Sequence, residues 1–363
     1  MRLPRVKPEH RPHKYGQDKI RIGGAIYGIA AEITDPDGFA WAALNIMDGT
    51  RTQREIAGHL HDRFPGLSVD AAQRIVDLLV GSGYVEDAAA TPPGELSATE
   101  QERYSRNMAF FRRVDLRPRP HGWDAQIRLK RARVLVLGLG GTGSHAAWAL
   151  AACGVGTLHC VDRDVVELSN LTRQSLYRES DIGRPKASVA VARLAEVNSS
   201  AEITGEVRQI VRAEELAELV RGFDALALCA DEPAGPDGIR VWANRACRAA
   251  KTPWAVGGYS GPLVSVAVFD PAGPCYECLT ETVEASLDAP PPVLGDTGVI
   301  ATSAGVSGHL TAHAVISLVT GVPELPGGYV TGVNLVAPDQ HVYTRHPPDP
   351  RCPACGPPSP GPP

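Results

Sequence analysis

A glycine-rich loop between a buried strand and a helix constrains this chain more than any other stretch. Arg133-Val-Leu-Val-Leu137 predicts a buried parallel strand. Gly138, Gly140 and Gly143 follow in a G-x-G-x-x-G pattern, and a helix is predicted from there to Cys153. The first glycine allows a tight turn, the second lets a phosphate approach the backbone, and the third lets helix pack on strand. Backbone N–H groups at the helix start then face an anion, so nucleotide binding is predicted, with a tight structural turn as the alternative.

The residues after the loop distinguish ATP chemistry from hydride transfer. Asp162 ends the next predicted strand, where an acid usually holds a ribose, and Asp231 ends a later one. A hydride-transfer enzyme needs no cluster of cations near the phosphates, yet Arg173 and Lys186 follow the second strand. Cations around a triphosphate and an acid for Mg²⁺ suit attack by a carboxylate on an α-phosphate, which gives an acyl-adenylate and pyrophosphate. The alternative for each residue is a solvated, charged helix end.

The order of apolar segments predicts an α/β fold with an open, mostly parallel, Rossmann-like sheet. Predicted strands at 224–231 and 254–256 alternate with predicted helices, and a long apolar helix is expected at 302–318. Residues 263–269 alternate less cleanly and are compatible with a second sheet. One predicted helix covers 185–197, before the strand at 224–231, and another covers 239–250, between that strand and the strand at 254–256.

The N-terminal part predicts a small α+β domain of winged-helix type over residues 16–87. Two strands, 19–22 and 26–33, precede three helices at 39–47, 52–64 and 68–79, and 84–86 closes the unit. Residues 1–15 are rich in Pro, Arg and His and are expected to be loose. DNA binding is disfavoured because the last of these helices has Arg74 as its only cation.

Composition predicts the boundaries after this domain. Residues 88–96 have the composition of a linker, and Ser97 with Glu100 forms a capping box that starts a helix reaching Arg106. The predicted adenylation domain covers 97–355, and the Pro-rich residues 356–363 are expected to be disordered.

Charge, apolar content and the number of cysteines argue against several classes of protein. The net charge of −5 offers no nucleic-acid footprint. Neither a signal peptide nor a run of about 18 apolar residues is found, so no membrane contact is expected. Eight cysteines in 363 residues are too sparse for a disulfide scaffold, and we expect a cytoplasmic protein.

Two C-x-x-C pairs predict a structural zinc site. Four thiolates close a tetrahedron and leave no open position for catalysis. Idle thiols or redox motifs are the alternative. The predicted ligands are Cys275, Cys278, Cys352 and Cys355.

Five stretches together resemble the ubiquitin-activating-enzyme-like (ThiF-type) adenylyltransferases, which include the activators of the thiamine and molybdopterin sulfur carriers and microcin C synthetase. The stretches are Arg103-Tyr-Ser-Arg106, Gly138-Leu-Gly-Gly-Thr-Gly-Ser144, Asp162-Arg-Asp-Val-Val-Glu-Leu-Ser-Asn-Leu-Thr-Arg-Gln174, Gly183-Arg-Pro-Lys186 and Cys229-Ala-Asp231.

The resemblance implies ATP, Mg²⁺ and structural Zn²⁺ as cofactors. It implies that Asp162 holds the ribose and that Asp231 binds Mg²⁺. Arg106 is implied to reach across a homodimer to the partner's ATP. The residues implied to grip the phosphates are Asn170, Arg173 and Lys186. The other nucleotide-site residues implied are Gly138, Gly140, Gly141, Gly143, Asp164 and Gln174.

A second resemblance covers about residues 15–87. Residues 44–56 and 76–86 are similar in apolar spacing, with an Asp-Gly-Thr turn, to the peptide-recognition domains typified by the pyrroloquinoline quinone peptide chaperone. This implies binding of a ribosomal precursor peptide's leader as an added strand. The alternative is a structural cap.

One departure from the sulfur-carrier activators bears on mechanism. Leu294 stands where those enzymes commonly carry a catalytic cysteine, and a leucine is not a nucleophile. Cys153, Cys160, Cys229 and Cys247 are interpreted as small core residues. No thioester step is therefore expected.

Three functions remain open from the sequence. The first is ATP-dependent adenylylation of a carboxylate on a ribosomally made precursor peptide, with an amine, amide or thiol as acceptor or with an amide nitrogen attacking phosphorus. The second is activation of a ubiquitin-like sulfur carrier, which Leu294 opposes. The third is a non-catalytic subunit that delivers a peptide to a cyclodehydratase. That third function predicts lost ATP ligands, whereas Arg173, Lys186 and Asp231 are present.

Overall fold

The chain divides into two units, Met1–Ile127 and Arg128–Pro363. A computed structural model describes residues 1–235, 237–285 and 298–356. The expected disorder at 356–363 falls almost wholly outside these residues, as does Leu294. The segment 97–127 lies in the first unit. The functional boundary at residues 88–96 stays a prediction.

The first unit contains two small antiparallel sheets and several helices. Its strands are β1 Pro4–Val6, β2 His13–Lys14, β3 Lys19–Ile22, β4 Ala31–Thr34 and β5 Val85–Asp87. Its helices are α1 Phe39–Ile46, α2 Gln53–Arg63, α3 Val69–Gly81, α4 Ala98–Arg103 and α5 Ser105–Val114, and α6 Asp124–Arg131 runs into the second unit. Strand β1 pairs with β5, and the other sheet has the order β2-β3-β4.

Helix starts in this unit follow local chemistry. Thr52 and Ser97 each cap a helix in a capping box with a glutamate, and Ser68 accepts from the backbone N–H of Ala71. The apolar faces of α1, α2 and α3 and of strand β3 pack into one core, which includes Ile20, Leu44, Ile56, Leu60 and Val76.

Three expectations for this unit were wrong. Residues 1–15 are ordered, because β1 pairs with β5 and the N–H groups of Arg2 and Leu3 donate to the Asp87 carboxylate. The second strand begins at Ala31 rather than residue 26, since the glycines before it adopt positive φ. The helix that starts after Ser97 ends at Arg103, and Arg106 lies on α5.

The second unit is an α/β fold, as predicted. Its strands are β6 Arg133–Leu137, β7 Thr157–Asp162, β8 Glu202–Val207, β9 Ala225–Leu228, β10 Trp254–Ser260, β11 Leu263–Phe269, β12 Tyr329–Asn334 and β13 His341–Arg345. Its helices after α6 are α7 Gly141–Cys153, α8 Lys186–Val197, α9 Ala213–Val220, α10 Ile239–Ala250, α11 Tyr276–Ala285 and α12 Ala301–Thr320.

The eight strands form one sheet in the order β13-β12-β11-β10-β9-β6-β7-β8. The five strands from β10 to β8 are parallel, and β11, β12 and β13 add antiparallel pairs. The possibility that residues 263–269 belong to a second sheet was wrong, because β11 pairs with β10 along its whole length. Strand order reverses between β6 and β9, which makes a crevice at their carboxyl ends.

Apolar burial explains this sheet. Strands β6 and β9 are buried over almost every residue, as expected for parallel strands covered on both faces. Leu135, Leu226, Ile239, Trp254 and Phe269 belong to the core on one side. Among the residues described, no helix is long and apolar enough to cross a membrane.

Candidate active site at the strand-order reversal

Two adjoining cavities open at the carboxyl ends of β6, β7 and β9. The first, of about 540 Å³, is lined by Gly138 and Asp162 and reaches Ile239. The second, of about 640 Å³, is lined by Gly141 and reaches Tyr259. Both volumes fall in the range of small-molecule sites. The residues that line both cavities are Gly140, Arg163, Asp164, Lys186, Cys229, Ala230 and Asp231.

The glycine loop has the geometry that its sequence predicts. Gly138 has φ of 91°, which disfavours a side chain. A Cβ added at Gly143 would lie 1.8 Å from the Gly138 carbonyl oxygen, so only glycine lets α7 pack this closely on β6. Gly140 and Gly141 lie at the start of α7 and line the second cavity, where free backbone N–H groups suit an anion.

Asp162 is fixed by backbone donors at the mouth of the first cavity. Its Oδ2 accepts from the N–H of Leu139 at 2.6 Å, and its Oδ1 accepts from the N–H of Asp164 at 2.8 Å. Tyr177 donates to the Leu139 carbonyl at 2.9 Å and so supports the same turn. Burial raises the pKa of Asp162, although the two N–H donors and Lys186 oppose the rise. The carboxylate therefore keeps a fixed direction and free lone pairs for a hydroxyl donor.

The predicted phosphate ligands converge on the second cavity. Lys186 is 5% exposed, and its Nζ lies 3.1 Å from Asp164 Oδ2. Arg173 donates from Nη1 to the Ser169 carbonyl at 3.0 Å, and its buried Nε has no hydrogen-bond partner among the described residues. The buried Oε1 of Gln174 also lacks a partner there. Asn170 completes the set that lines this cavity. Orphaned buried polar atoms of this kind suit a polar ligand.

Asp231 lies three residues beyond the end of β9 and lines both cavities. Its side chain is exposed, so it is free to take part in a hydrated magnesium site of the kind that Mg²⁺ prefers. The residues present fit Mg²⁺ held by Asp231 and by substrate phosphates.

Arg106 belongs to the first unit. Its side chain is exposed on α5 and makes no ion pair with any residue that the structure describes. The role of Arg106 in a partner's site stays a prediction.

The sequence reasoning missed several cavity residues, among them Arg163, Arg240 and Tyr259. Arg163 lies between two acids of the quoted motif, and its Nη2 is 3.0 Å from Glu232. Arg240 lies in the first turn of α10, and Tyr259 lies near the end of β10. The signal for Arg240 was its place at the start of a helix that follows a strand ending at the crevice.

The four predicted zinc ligands form one cluster. Their sulfur atoms all lie within 4.8 Å of one another, with Cys275 to Cys352 at 3.6 Å and Cys278 to Cys355 at 3.2 Å. A tetrahedron with Zn–S bonds of about 2.3 Å has sulfurs about 3.8 Å apart, so the cluster fits zinc. Burial raises the pKa of Cys275 to about 11, and the Asp349 N–H, which donates to Cys278, helps to lower the pKa of Cys278 against its burial.

Hydrogen bonds connect this cluster to the body of the unit. Arg248 on α10 donates to the carbonyls of Ala354 and Gly273 at 3.1 and 3.2 Å. His346 contacts the Cys275 carbonyl at 3.1 Å. The second cysteine pair is thus connected to the helix that carries Arg240.

The remaining thiols lie in places that suppress reactivity. Burial raises the pKa of Cys160 and Cys229 to about 12, and it also raises the pKa of Cys153 and Cys247. Cys229 lines both cavities, yet a thiol with a raised pKa carries little thiolate.

Residues 104–354 match the ThiF family. The chain belongs to the ThiF family. Molybdopterin-synthase adenylyltransferase of Escherichia coli is 34% identical over 239 residues, which cover 65% of this chain and 89% of that enzyme. The sulfur carrier protein ThiS adenylyltransferase of E. coli is 36% identical over 208 residues, covering 56% and 78%. The chain spans 58% of the adenylyltransferase and sulfurtransferase MOCS3-1 of Zea mays, at 32% identity over 289 residues and 77% of this chain. This ThiF-family chain is thus an enzyme of the adenylyltransferase type.

Solved structures of E. coli MccB share the fold of this ThiF-family chain over nearly its whole length. MccB with ATP has a TM-score of 0.74 at 21% identity, covering 97% of this chain and 99% of MccB. MccB with AMPCPP and MccA has a TM-score of 0.73 at 22% identity, with the same coverage.

Proposed function

We propose that this enzyme uses ATP and Mg²⁺ to adenylylate a carboxylate on a ribosomally made precursor peptide. The supporting observation is the convergence of Asp162, Arg173, Lys186 and Asp231 on two adjoining cavities around the glycine loop. The likeness to MccB over 97% of the chain supports a peptide substrate, because one MccB structure holds MccA. The curated sulfur-carrier activator of E. coli matches 65% of the chain.

The reaction needs an oxygen nucleophile and a charged leaving group. A carboxylate oxygen of the peptide forms a bond to the α-phosphorus, and the bond from that phosphorus to the oxygen bridging to the β-phosphorus breaks. Pyrophosphate leaves with the electron pair, and no proton is transferred. Arg173, Asn170 and Lys186 neutralise the phosphates, Asp162 orients the ribose and Asp231 holds Mg²⁺, which supplies further charge neutralisation when bound.

No cysteine of the chain takes the acyl group in this proposal. Leu294 stands at the position of the catalytic cysteine of sulfur-carrier activators, and the four thiols outside the zinc cluster have raised pKa values. The acceptor is then an amine, amide or thiol from outside the chain, or a substrate amide nitrogen attacks phosphorus.

The first unit provides the peptide-recognition element of this proposal. Its winged-helix-like part binds a leader as an added strand. Strand β4 lies at the edge of its sheet, and its alternate residues Glu32 and Thr34 are exposed. A homodimer in which Arg106 reaches the partner's ATP completes the site. The exposed Arg106 side chain, without an ion pair among the described residues, supports this.

Pyrophosphate release with short peptides encoded beside the gene tests the function. We expect release that depends on ATP, Mg²⁺ and one cognate peptide and that Asp231→Asn abolishes. Arg212, whose side chain is 71% exposed and pairs with Glu215, is a control for loss of a surface charge away from the cavities as Arg212→Gln. Absence of ATP consumption with every such peptide would sink the proposal.

Activation of a sulfur carrier is the second candidate, favoured by the 34% identity to the E. coli molybdopterin-synthase adenylyltransferase. Exchange of labelled pyrophosphate into ATP with a carrier protein ending in Gly-Gly, and none with peptides, would select this candidate. The retained ATP-site residues argue against the third function, a non-catalytic subunit that delivers a peptide. Undetectable ATP affinity in calorimetry would favour that function.

A further inference from the structure

The second cavity, of about 640 Å³, contains a cation, Arg240, that has no ion pair among the residues that the structure describes. If Asp162 marks the ribose, the nucleoside fills the first cavity and the phosphates lie at the wall that both cavities share. The far side of the second cavity, beyond Gly141, then faces the α-phosphate. It is lined by Arg240, Gly257, Gly258 and Tyr259, none of which lines the first cavity.

Arg240 differs from the other cations of the site in having neither an ion pair nor a hydrogen bond among the described residues, whereas Arg173 donates to the Ser169 carbonyl. Lys186 pairs with Asp164, and Arg163 pairs with Glu232. Arg240 makes no ion pair or hydrogen bond with the described part of the chain, and its Nε is buried. It also lies in the first turn of the 12-residue helix α10, whose dipole favours an anion. An anionic ligand is expected there.

Tyr259 adds a neutral donor on the same side. Its hydroxyl lies over the start of α7, since a Cβ added at Gly141 would be 2.5 Å from Tyr259 Oη. Arg240 Nη2 would be 3.8 Å from a Cβ added at Gly258, so the absent side chain at 258 leaves room beside the guanidinium. No hydrogen-bond partner for the Tyr259 hydroxyl is found among the residues described.

We infer that Arg240 and Tyr259 bind the carboxyl group of the acyl substrate and hold it against the α-phosphate. This rests on the proposed function. A guanidinium binds the two oxygens of a carboxylate in a planar pair, and the phenol donates to one of them. The other oxygen lone pairs remain available to attack phosphorus. The pairing also suits the acyl carbonyl of the adenylate that forms.

Binding of adenylate mimics separates this role from phosphate binding. The probes are AMPCPP, 5′-O-sulfamoyladenosine, and the same sulfamoyladenosine carrying an N-acetylglycyl group, measured by calorimetry on the full chain. In the wild type, the acyl group should increase affinity. Arg240→Gln and Tyr259→Phe should each remove about tenfold of that increase, as expected for a lost hydrogen bond to a charged or polar group, and leave AMPCPP affinity unchanged.

The controls distinguish the possible failures. Arg212→Gln should change none of the affinities, and Arg240→Lys should restore part of the acyl increment by retaining the charge. Equal losses of AMPCPP and acyl-probe affinity in Arg240→Gln would overturn the inference and make Arg240 a phosphate ligand. A wild type in which the acyl group adds no affinity would also overturn it. Wild-type AMPCPP binding and a normal acyl increment, without pyrophosphate release for any peptide, would instead overturn the proposed function alone.

Discussion

Two groups of cations, one in each unit, differ in whether their buried donors have hydrogen-bond partners. In the first unit, Arg112 donates to Glu9 from Nε at 2.8 Å and lies 3.3 Å from Glu86. Burial lowers the pKa of Arg112, but the two carboxylates produce a net rise. Lys7 is 6% exposed, and its Nζ donates to the carbonyls of residues 112 and 115. Every one of these donors has a partner within the unit.

In the second unit, the cations around the glycine loop are left partly unsatisfied. Arg173 Nε and Arg240 Nε are buried without partners among the described residues, and Gln174 Oε1 is an orphaned acceptor beside them. Leaving such groups unpaired has a free-energy cost of about 1–3 kcal/mol each, so they are retained where a ligand will pair with them. Cations whose donors are satisfied by partly buried carboxylates and carbonyls therefore indicate structure. Buried donors without a partner at a crevice indicate binding, as does Lys186, whose carboxylate partner is 52% exposed.

Loss of the cysteine cluster should give the largest fall in stability. This cluster is a third kind of site, in which the partner of the side chains is a metal ion. Four cysteine sulfurs within 4.8 Å of one another, three of them on buried residues, would repel as thiolates without zinc. We expect one zinc per chain by mass spectrometry. Cys278→Ser or a strong chelator should lower the thermal midpoint more than any other change discussed, because structural zinc contributes several kcal/mol to folding.

Cys153→Ser is the matched control for the zinc prediction. It removes a thiol at the end of α7, outside the cluster, and should retain full zinc content. Zinc-free wild-type protein with an unchanged midpoint would show that the cluster needs no metal.

Lys186→Ala should strongly reduce the rate of pyrophosphate exchange without unfolding the chain. Loss of a charge aimed at a developing phosphate charge typically lowers the rate by about 10²–10³. The partner carboxylate of Asp164 is 52% exposed, so water solvates it when the ammonium is gone. Pyrophosphate exchange and thermal melting measure the two effects. A fall in the melting midpoint that matches the activity loss would move Lys186 to the structural group.

Arg112→Ala should lower the stability of the fold and leave ATP binding unchanged, the opposite of what we expect for Lys186→Ala. It removes the cation that pairs with Glu9, whose side chain is 17% exposed. It leaves Glu86, whose side chain is 13% exposed, with Arg5 alone, at 2.7 Å. We expect a loss of about 2–3 kcal/mol in the free energy of unfolding, read by urea denaturation. ATP affinity of the folded protein should not change. The exposed pair Arg212–Glu215 offers the control, since Arg212→Ala should cost less than about 0.5 kcal/mol.

The sequence was sufficient for the elements that local signals specify. The strand 133–137, the helix ending at Cys153 and the capped helices after Thr52 and Ser97 were predicted because periodicity, glycines and capping boxes act over a few residues. The cysteine cluster followed from two C-x-x-C pairs, and motifs of fixed spacing supplied the glycine loop and the charged residues Asp162, Lys186 and Asp231 that line the cavities.

The elements that the sequence did not predict depend on contacts between residues that are far apart in the chain. Strand β1 forms because Asp87 accepts from the N–H groups of Arg2 and Leu3, 85 and 84 residues away. Strands β12 and β13 extend the sheet only because β11 offers an antiparallel edge. Arg240 belongs to none of the motifs used above. The sequence indicates its place at the start of a helix, but its proposed role depends on the hydrogen-bond partners that it lacks among the described residues, which a sequence does not record.

The pH dependence that Asp162 causes is the smallest effect we expect. The direction in which affinity and stability change with pH tests whether Asp162 belongs to the binding site or to the fold. Burial raises the pKa of this carboxyl above its unfolded value. Nucleotide binding needs the carboxylate, so AMPCPP affinity should fall as the pH drops through the raised pKa, by about tenfold for a lost charged hydrogen bond.

The same pKa shift acts on folding with the opposite sign. The native state binds this proton more tightly than the unfolded state, so the stability contribution is complete below the unfolded pKa. It is lost as the pH rises through the folded pKa. Asp162→Asn should remove both pH steps, which calorimetry and urea denaturation measure separately. Ligand affinity and stability that instead rise together with pH would mean that Asp162 serves the fold, as the cations of the first unit do, and that the ribose is held elsewhere.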